Sequence, residues 1–421
     1  MEREPQPLFG TYRTFLTDDP AEQSIIRSVV ITYIESFPSA LQALNAYEVV
    51  VGFLRAYAAN EATFNSYRTH AERLCLWALI IRNTPLLHMR RSDAEAYLDF
   101  CLDPPATWIG LVVRSRFIAD GDGRTINPAW RPFSVKAPKN ASGFVAGGSL
   151  GYRPSRASIS QAFSVCSSLF EYAVDEGLAP VNPFKLIKQK SRFKERHTVA
   201  ITTRSLTPLQ WDFALSCAEA MAAEDQYKHE RTLFITATAF SMYLRVSDLC
   251  GRVNWKPTMG DFRMDDDGNW WFHVVGKGNK RAKVAVREQY VQRYLTRYRN
   301  FLGLPSLPSP HEKTPLLSSL SGRPGLTTRS VRAIVQSVFD RAVDKMIEEG
   351  RSSYEIEGLR SASTHWLRHT AATFDAPWRD PKDLQADMRH TNISTTQNTY
   401  YSSHDDKRAF SVKKLGLKNR D

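Results

Sequence analysis

The spacing of the apolar residues constrains this chain most. Over most of its length they recur at three- and four-residue intervals, the period of a helix that buries one face. From Ala40 onward, Leu41, Leu44, Val49, Val50, Phe53, Leu54 and Tyr57 keep that period. A second helix is predicted over about 61–82, with Tyr67, Leu74, Trp77 and Ile80 on its apolar face. A third opens at Ser92-Asp93-Ala94-Glu95, which has the features of a capping box, and carries Tyr97, Leu98 and Phe100. The pattern stops at 103–150. Pro104, Pro105, Pro128, Pro132, Pro138 and several glycines there predict a long loop or inserted excursion. It returns at 156–176, closed by Gly177. Further helices are predicted from Thr207-Pro208, over 231–244, 287–303, 327–349, 364–375, 381–389 and 394–402. Between them, Trp270 to Val275 and Lys283 to Val286 read as strands flanking Gly276-Lys277-Gly278-Asn279, which is hairpin chemistry. Asp265-Asp266-Asp267-Gly268-Asn269 is like a calcium loop, but Arg263 and Val274 stand where carboxylates are needed, so a turn between strands is the reading.

A chain of 421 residues suits two domains. The breaks in the helical pattern give an N-terminal extension of undefined role (1–37), a helical domain (38–184) with the excursion inside it, a linker (185–206), a second domain (207–403) and a tail (404–421). With 42% hydrophobic residues both domains have enough apolar surface for a core, which excludes global disorder. A formal net charge of +12 favours a polyanionic partner, most often nucleic acid. The linker concentrates that charge in Lys185, Lys188, Lys190, Arg192, Lys194 and Arg196, with Glu195 the sole acid among them. It reads either as a solvated charge run or as a clamp on a nucleic-acid backbone. The five cysteines are scattered and form no C-x-x-C, as expected of reduced thiols in a cytoplasmic protein without a disulfide framework or zinc ribbon. The start, Met1-Glu-Arg-Glu-Pro, has no apolar signal-peptide core, and no apolar run approaches the roughly 20 residues of a membrane span.

Breaking a DNA phosphodiester without a metal needs an attacking hydroxyl, fixed donors for the charge that grows on the phosphate oxygens, and a route for two protons. Arginine meets the charge best, because its planar fork grips two oxygens. The second half of the chain supplies such a set. Arg245 lies in Tyr243-Leu244-Arg245-Val246-Ser247-Asp248-Leu249, and Lys277 sits on the hairpin turn. His365 and Arg368 share one helix face, His390 ends another helix, and Tyr400 follows in Ser394-Thr395-Thr396-Gln397-Asn398-Thr399-Tyr400. His365 and His369 have a legal zinc spacing, but Trp366 occupies the position of the zincin glutamate, so no metal is expected.

The order of these segments resembles the tyrosine recombinase (phage integrase) family. The family's G-L-R-x-S-E-L reads Tyr-Leu-Arg-Val-Ser-Asp-Leu here, its G-K-G-N-K reads Gly276 to Lys280, and its H-x-x-R-H reads His365-Trp366-Leu367-Arg368-His369. Its L-G-H with a tyrosine nine or ten residues later reads Met388-Arg389-His390 and then Tyr400. The resemblance covers 207–403, and the first half matches only in helical character. It implies a mainly α fold with a small antiparallel β-sheet in the catalytic domain, two domains forming a C-shaped DNA clamp. It implies Tyr400 as the nucleophile of a 3′-phosphotyrosyl link, Arg245 and Arg368 on the nonbridging oxygens, and Lys277 as acid to the 5′ oxygen. His365 would assist proton transfer, His390 would bond the phosphate, and Asp248 would buttress Arg245. Lys280, Arg281 and the linker cations would contact DNA.

Neither ATP nor another cofactor is implied, since the phosphotyrosyl ester conserves the bond energy. The implied partners are duplex DNA with specific recombination sites, three further copies in a tetramer on paired sites, and an accessory directionality protein. The implied setting is the cytoplasm of a bacterium, with the gene on a mobile element or phage. The tail, with Phe410, Val412 and Leu415, would dock either on this chain's own catalytic domain or in trans on a neighbouring subunit. Two departures concern glycines: Arg389 and Tyr243 stand where the family has glycine, so the backbone there is expected to differ. Tyr401 adjoins Tyr400, and the family's spacing from the histidine favours Tyr400. Two alternatives share these residues: a type IB topoisomerase, and a DNA-binding relative without catalysis.

Overall fold

Apolar periods in the first half become helices around one core, and those in the second half become helices around another. The computed structural model describes residues 3–16, 20–121, 123–135, 152–188, 204–276 and 279–401. The chain divides into two units, Met1–Val199 and Ala200–Asp421, with the boundary inside the 185–206 segment. The fold is mainly helical with small sheets.

In the first unit, α1 (Pro20–Glu35), α2 (Ala43–Ala56), α3 (Glu61–Trp77), α4 (Arg91–Leu102) and α5 (Arg156–Asp175) surround Val50, Phe53, Phe64, Leu74, Leu98 and Phe170. The predicted second helix is split: α3 ends at Trp77 and a π-helical turn, Ala78–Arg82, completes it. The capping of α4 also differs from expectation. Arg91 is its first residue, and the Asp93 carboxylate accepts the Arg90 backbone N–H at 2.7 Å, so Asp93 supplies the reciprocal bond from the third position. Leu44, which keeps the apolar period, is 45% exposed.

Two further readings are revised. Residues 1–37 do not stand apart: Leu8, Phe9, Val30, Ile34 and Phe37 are buried in the first core, and Phe9 stacks on Tyr47 with centroids 5.4 Å apart. The described part of the 103–150 excursion is folded. Its strands β1 (Ile109–Gly110) and β4 (Phe133–Ser134) pair in parallel, and β2 (Phe117–Asp120) pairs antiparallel with β3 (Gly123–Ile126). Trp108 and Phe133 pack edge-on against Phe100 of α4. Besides this apolar packing, both segments share one polar anchor, the buried Glu72 of α3. Its carboxylate accepts the backbone N–H groups of Leu8 at 2.8 Å and Phe9 at 3.3 Å, and it pairs with Arg116 at 2.5 Å. Segments too irregular to show a period are ordered by polar anchors that lie far away in sequence.

In the second unit, Thr207 caps α6 (Pro208–Glu224), its hydroxyl accepting the Gln210 N–H at 3.2 Å. The apolar α7 (Gln226–Ser241) packs on α6, and a short α8 (Val246–Cys250) follows. A three-stranded antiparallel sheet comes next, β5 (Phe262–Met264), β6 (Trp270–Val275) and β7 (Arg281–Ala285), with Phe272 opposite Val284. The Asp265–Asn269 turn closes on the Asp265 carboxylate, which accepts Asn269 N–H at 2.8 Å and Trp271 Nε1–H at 2.7 Å. It is a turn, as expected. After β7 the predicted 287–303 helix forms as Glu288–Tyr290, a π-helical turn Val291–Leu295 and Thr296–Phe301, followed by α9 (Thr328–Glu348), α10 (Ser353–Ser361), α11 (Thr364–Asp375), α12 (Pro381–Met388) and α13 (Ile393–Thr396). A π-helical turn, Gln397–Tyr401, ends the described chain. Their apolar faces share a core with Phe234, Leu295, Val335, Phe339 and Leu367. All five cysteines are free and buried. No helix among the described residues is long and apolar enough to cross a membrane.

Candidate active site

Arg245 precedes α8, where its backbone N–H donates to the Asp248 carboxylate at 2.8 Å. Asp248 has no exposed side-chain surface and also receives Arg252 at 3.2 Å and the Arg389 guanidinium. Asp248 therefore fixes the turn that presents Arg245, and it ties α8 to the end of α12. This goes beyond the expected buttress, because Arg389 was not anticipated as its partner.

Arg389 and Tyr243 explain the two glycine departures. Both hold left-handed backbone, with φ of 53° and 50°. The backbone thus keeps the conformation that a glycine would adopt, at a cost of about 1–2 kcal/mol for each side chain. Each side chain makes contacts glycine cannot. Arg389 pairs with Asp248, while the Tyr243 hydroxyl donates to Asp375 and accepts from Arg379 at 3.2 Å. Arg379 also pairs with Asp387 at 2.7 Å, and Asp387 accepts the Ala285 N–H of β7 at 3.0 Å.

Arg368 lies on the buried face of α11, 1% exposed. Its guanidinium donates to the carbonyls of Tyr243, at 2.5 Å, and Met388. It pins together the chain segments that carry the two left-handed residues and, next to them, Arg245 and His390. Burial, followed by the charges of Arg245 and Arg389, pushes its pKa down to about 9. Arg245 is half-buried, and burial and the charge of Arg389 lower its pKa as well.

Opposite this cationic group lie three imidazoles and a phenol. His365 and His369 are one turn apart on α11, with their Nε2 atoms 2.9 Å apart. The Nδ1 of His369 lies 2.5 Å from the Tyr400 hydroxyl. His390 stacks its ring on Tyr400 at 6.4 Å, and its Nδ1 meets the Thr396 hydroxyl at 2.9 Å. Tyr400 is only 4% exposed, and burial pushes its pKa up to about 12, against the opposing charge of Arg368. Burial and then neighbouring charge lower all three histidines, the charge being that of Arg368 and Arg245 on His365 and His390 and that of His365 and Arg368 on His369; His369 and His390 fall to about 4, so these two are neutral at pH 7.

Arg245, Asp248, His365, Arg368, His390 and Tyr400, read from scattered segments, are thus gathered in one unit. Lys277, the linker residues Lys190, Arg192, Lys194 and Arg196, the tail and the side chain of Tyr401 lie outside the described residues. Lys280, Arg281 and Lys188 are exposed, while Lys185 is paired with Glu171 at 2.6 Å. The sequence places His369 in the H-x-x-R-H segment and at a zinc spacing from His365 but gives it no role, and no group of metal-ligating residues occurs among the described residues. Arg389 was noted only as a missing glycine. A charged side chain in a glycine position is the signal that could have pointed to its pairing.

No protein-family model matches the chain. It is 25% identical over 252 residues to tyrosine recombinase XerC of Thermodesulfovibrio yellowstonii, covering 58% of this chain and 70% of that one. It is 28% identical over 246 residues to tyrosine recombinase XerC of Staphylococcus saprophyticus, covering 57% and 69%. Its fold resembles that of XerH site-specific recombinase, solved bound to a palindromic difH substrate as a post-cleavage complex. The TM-score is 0.53 and the identity 14%, over 96% of this chain and 93% of that one.

Proposed function

We propose that the chain is a tyrosine recombinase, a reading supported by its similarity to the two XerC proteins, and that it is a site-specific recombinase that cuts and rejoins DNA through a 3′-phosphotyrosyl link to Tyr400. The observation that carries this reading is the Tyr400 hydroxyl held on His369, in the unit that also contains Arg368 and Arg245. Arg245 and Arg368 take the nonbridging oxygens, the first through its half-exposed guanidinium. The second retains N–H groups beyond the two given to carbonyls, since a guanidinium has five. His390 bonds the phosphate, and His365 assists proton transfer. Lys277 is the acid to the 5′ oxygen, as the family resemblance implies.

Duplex DNA is the partner, with Lys188, Lys280 and Arg281 among the cations on its backbone. The enzyme works as a tetramer on paired sites, as the integrase or resolvase of a mobile element, and needs no cofactor. The test is to incubate the full chain with a random-sequence library of nicked duplexes, trap the covalent complex and sequence the attached strand. The expected result is one enriched site and an adduct that maps to Tyr400 and is absent from Tyr400→Phe. Relaxation of any supercoiled plasmid without a preferred site would replace this reading with a topoisomerase. DNA binding with no adduct would leave a DNA-binding relative.

A further inference from the structure

A phenol that attacks phosphorus must lose its proton, and a buried one does not lose it to water at neutral pH. What touches the hydroxyl therefore decides the chemistry. The atom on the Tyr400 hydroxyl is Nδ1 of His369, at 2.5 Å. The opposite nitrogen of the same ring, Nε2, lies 2.9 Å from Nε2 of His365, which is exposed. One ring thus bridges a buried hydroxyl and a solvent-facing imidazole. The hydrogen-bond pattern sets the tautomers. If Nδ1 of His369 accepts from the phenol, its proton is on Nε2, and Nε2 of His365 must be the acceptor.

We propose that His369 is a catalytic base of the recombinase reaction, passing the Tyr400 proton to His365. This rests on the reading of Tyr400 as nucleophile given above. In the step, the Oη–H bond of Tyr400 breaks and its proton goes to Nδ1 of His369. The Nε2–H bond of His369 breaks and that proton goes to Nε2 of His365. The Oη–P bond forms and the P–O5′ bond breaks. The leaving 5′ oxygen keeps the electron pair and takes a proton from the general acid, the role assigned to Lys277. His369 ends neutral and His365 ends as imidazolium, beside the phosphate whose charge stabilises it. Religation runs the same shifts backwards, so the relay returns its proton without a net reagent. The charged and titratable groups around His369 are His365 and Arg368 on its own helix, His390 after α12, Tyr400 beyond α13 and Arg204 before α6. The cations disfavour a proton resting on His369, which suits a ring that transmits one.

The experiment uses the full chain and the nicked duplex that the wild type selects from the random library, in single-turnover cleavage. His369→Asn keeps a polar atom near the Nδ1 position but cannot relay, and His369→Phe keeps the ring. Both are expected to cut about a hundredfold or more slowly at pH 7, the scale of a lost acid–base group, with DNA affinity changed less than about twofold. Their deficit persists when the 5′ bridging oxygen is replaced by sulfur, whose departure needs no proton. Their rate climbs about tenfold per pH unit from 7 to 9, because the phenolate then comes from hydroxide, whereas the wild-type profile is flatter. Ring ¹⁵N shifts of the wild type, which need no variant to fold, should give the Nε2–H tautomer for His369. A wild-type rate in His369→Asn, recovery on the sulfur substrate, or an Nδ1–H tautomer would overturn the relay while leaving Tyr400 as nucleophile. A wild-type adduct at a residue other than Tyr400 would overturn both readings.

Discussion

On the arginine flank of the site, Asp248 has no exposed side-chain surface and holds the Arg245 N–H, Arg252 and Arg389, while Arg368 is 1% exposed and holds two backbone carbonyls. On the histidine flank, His365 is exposed, and the ring-to-ring and ring-to-hydroxyl bonds join groups that can each donate or accept. The first flank is a framework. Its charges are held in place by partners that cannot change role, and losing one leaves another charge stranded out of water. The second is a proton network. Its geometry survives the movement of a proton, because each imidazole can exchange its donor and acceptor nitrogens. A site that must hold a phosphate still while protons move has reason to separate the two functions.

The sharpest way to break this contrast is to remove one partner from each flank. Asp248→Ala strands the Arg389 guanidinium, whose side chain is 9% exposed, and frees the turn that presents Arg245. The expected cost is about 3–5 kcal/mol in urea unfolding of the full chain. Thr396→Val removes only the hydroxyl on His390 Nδ1 and is expected to cost about 1 kcal/mol. Equal losses would mean that both flanks carry the fold and that the distinction fails.

Acid should find the histidine flank first. His369 and His390 are held at about 4 in the folded chain, against about 6.5 when unfolded. Between those values the unfolded chain binds protons that the folded chain does not, so stability rises with pH across that window. The associated stability is complete above about pH 6.5 and is lost as pH falls toward 4. Near pH 5, His369→Phe with His390→Phe should reduce proton uptake on unfolding by about two protons. His70, buried in the first unit and lowered to about 3, remains to give some slope. Arg368, at about 9, keeps its charge throughout the window. An unchanged pH dependence of unfolding in the double variant would place the acid sensitivity elsewhere.

The smallest effect separates backbone from side chain within the framework. Arg389→Ala and Arg389→Gly both delete the pairing with Asp248, but only alanine keeps a Cβ at a φ of 53°. Glycine should therefore be the more stable of the two by about 1 kcal/mol. If alanine matches glycine, the left-handed turn relaxes once the side chain is gone, and the framework is softer than its bonds suggest.

What could be read from the residues alone was whatever repeats or follows local rules. Helical periods found most of the helices, Thr207-Pro208 marked the start of α6, and Gly276 to Asn279 marked the hairpin. The ordered segments around Arg245, His365, Arg368, His390 and Tyr400 resembled those of one family. Each of these signals spans a few residues, and a short window of chain determines it. Only the tertiary structure decided that Glu72 would anchor residues 8–9 and Arg116, because Leu8 and Arg116 lie 64 and 44 positions from it in sequence. The same holds for Arg389, 141 positions from the Asp248 it pairs with, and for His369, 31 positions from the Tyr400 hydroxyl it touches. A buried charge or a shared proton takes its partner from whatever the fold brings within about 3 Å, and that is a property of packed space that no spacing along the chain records.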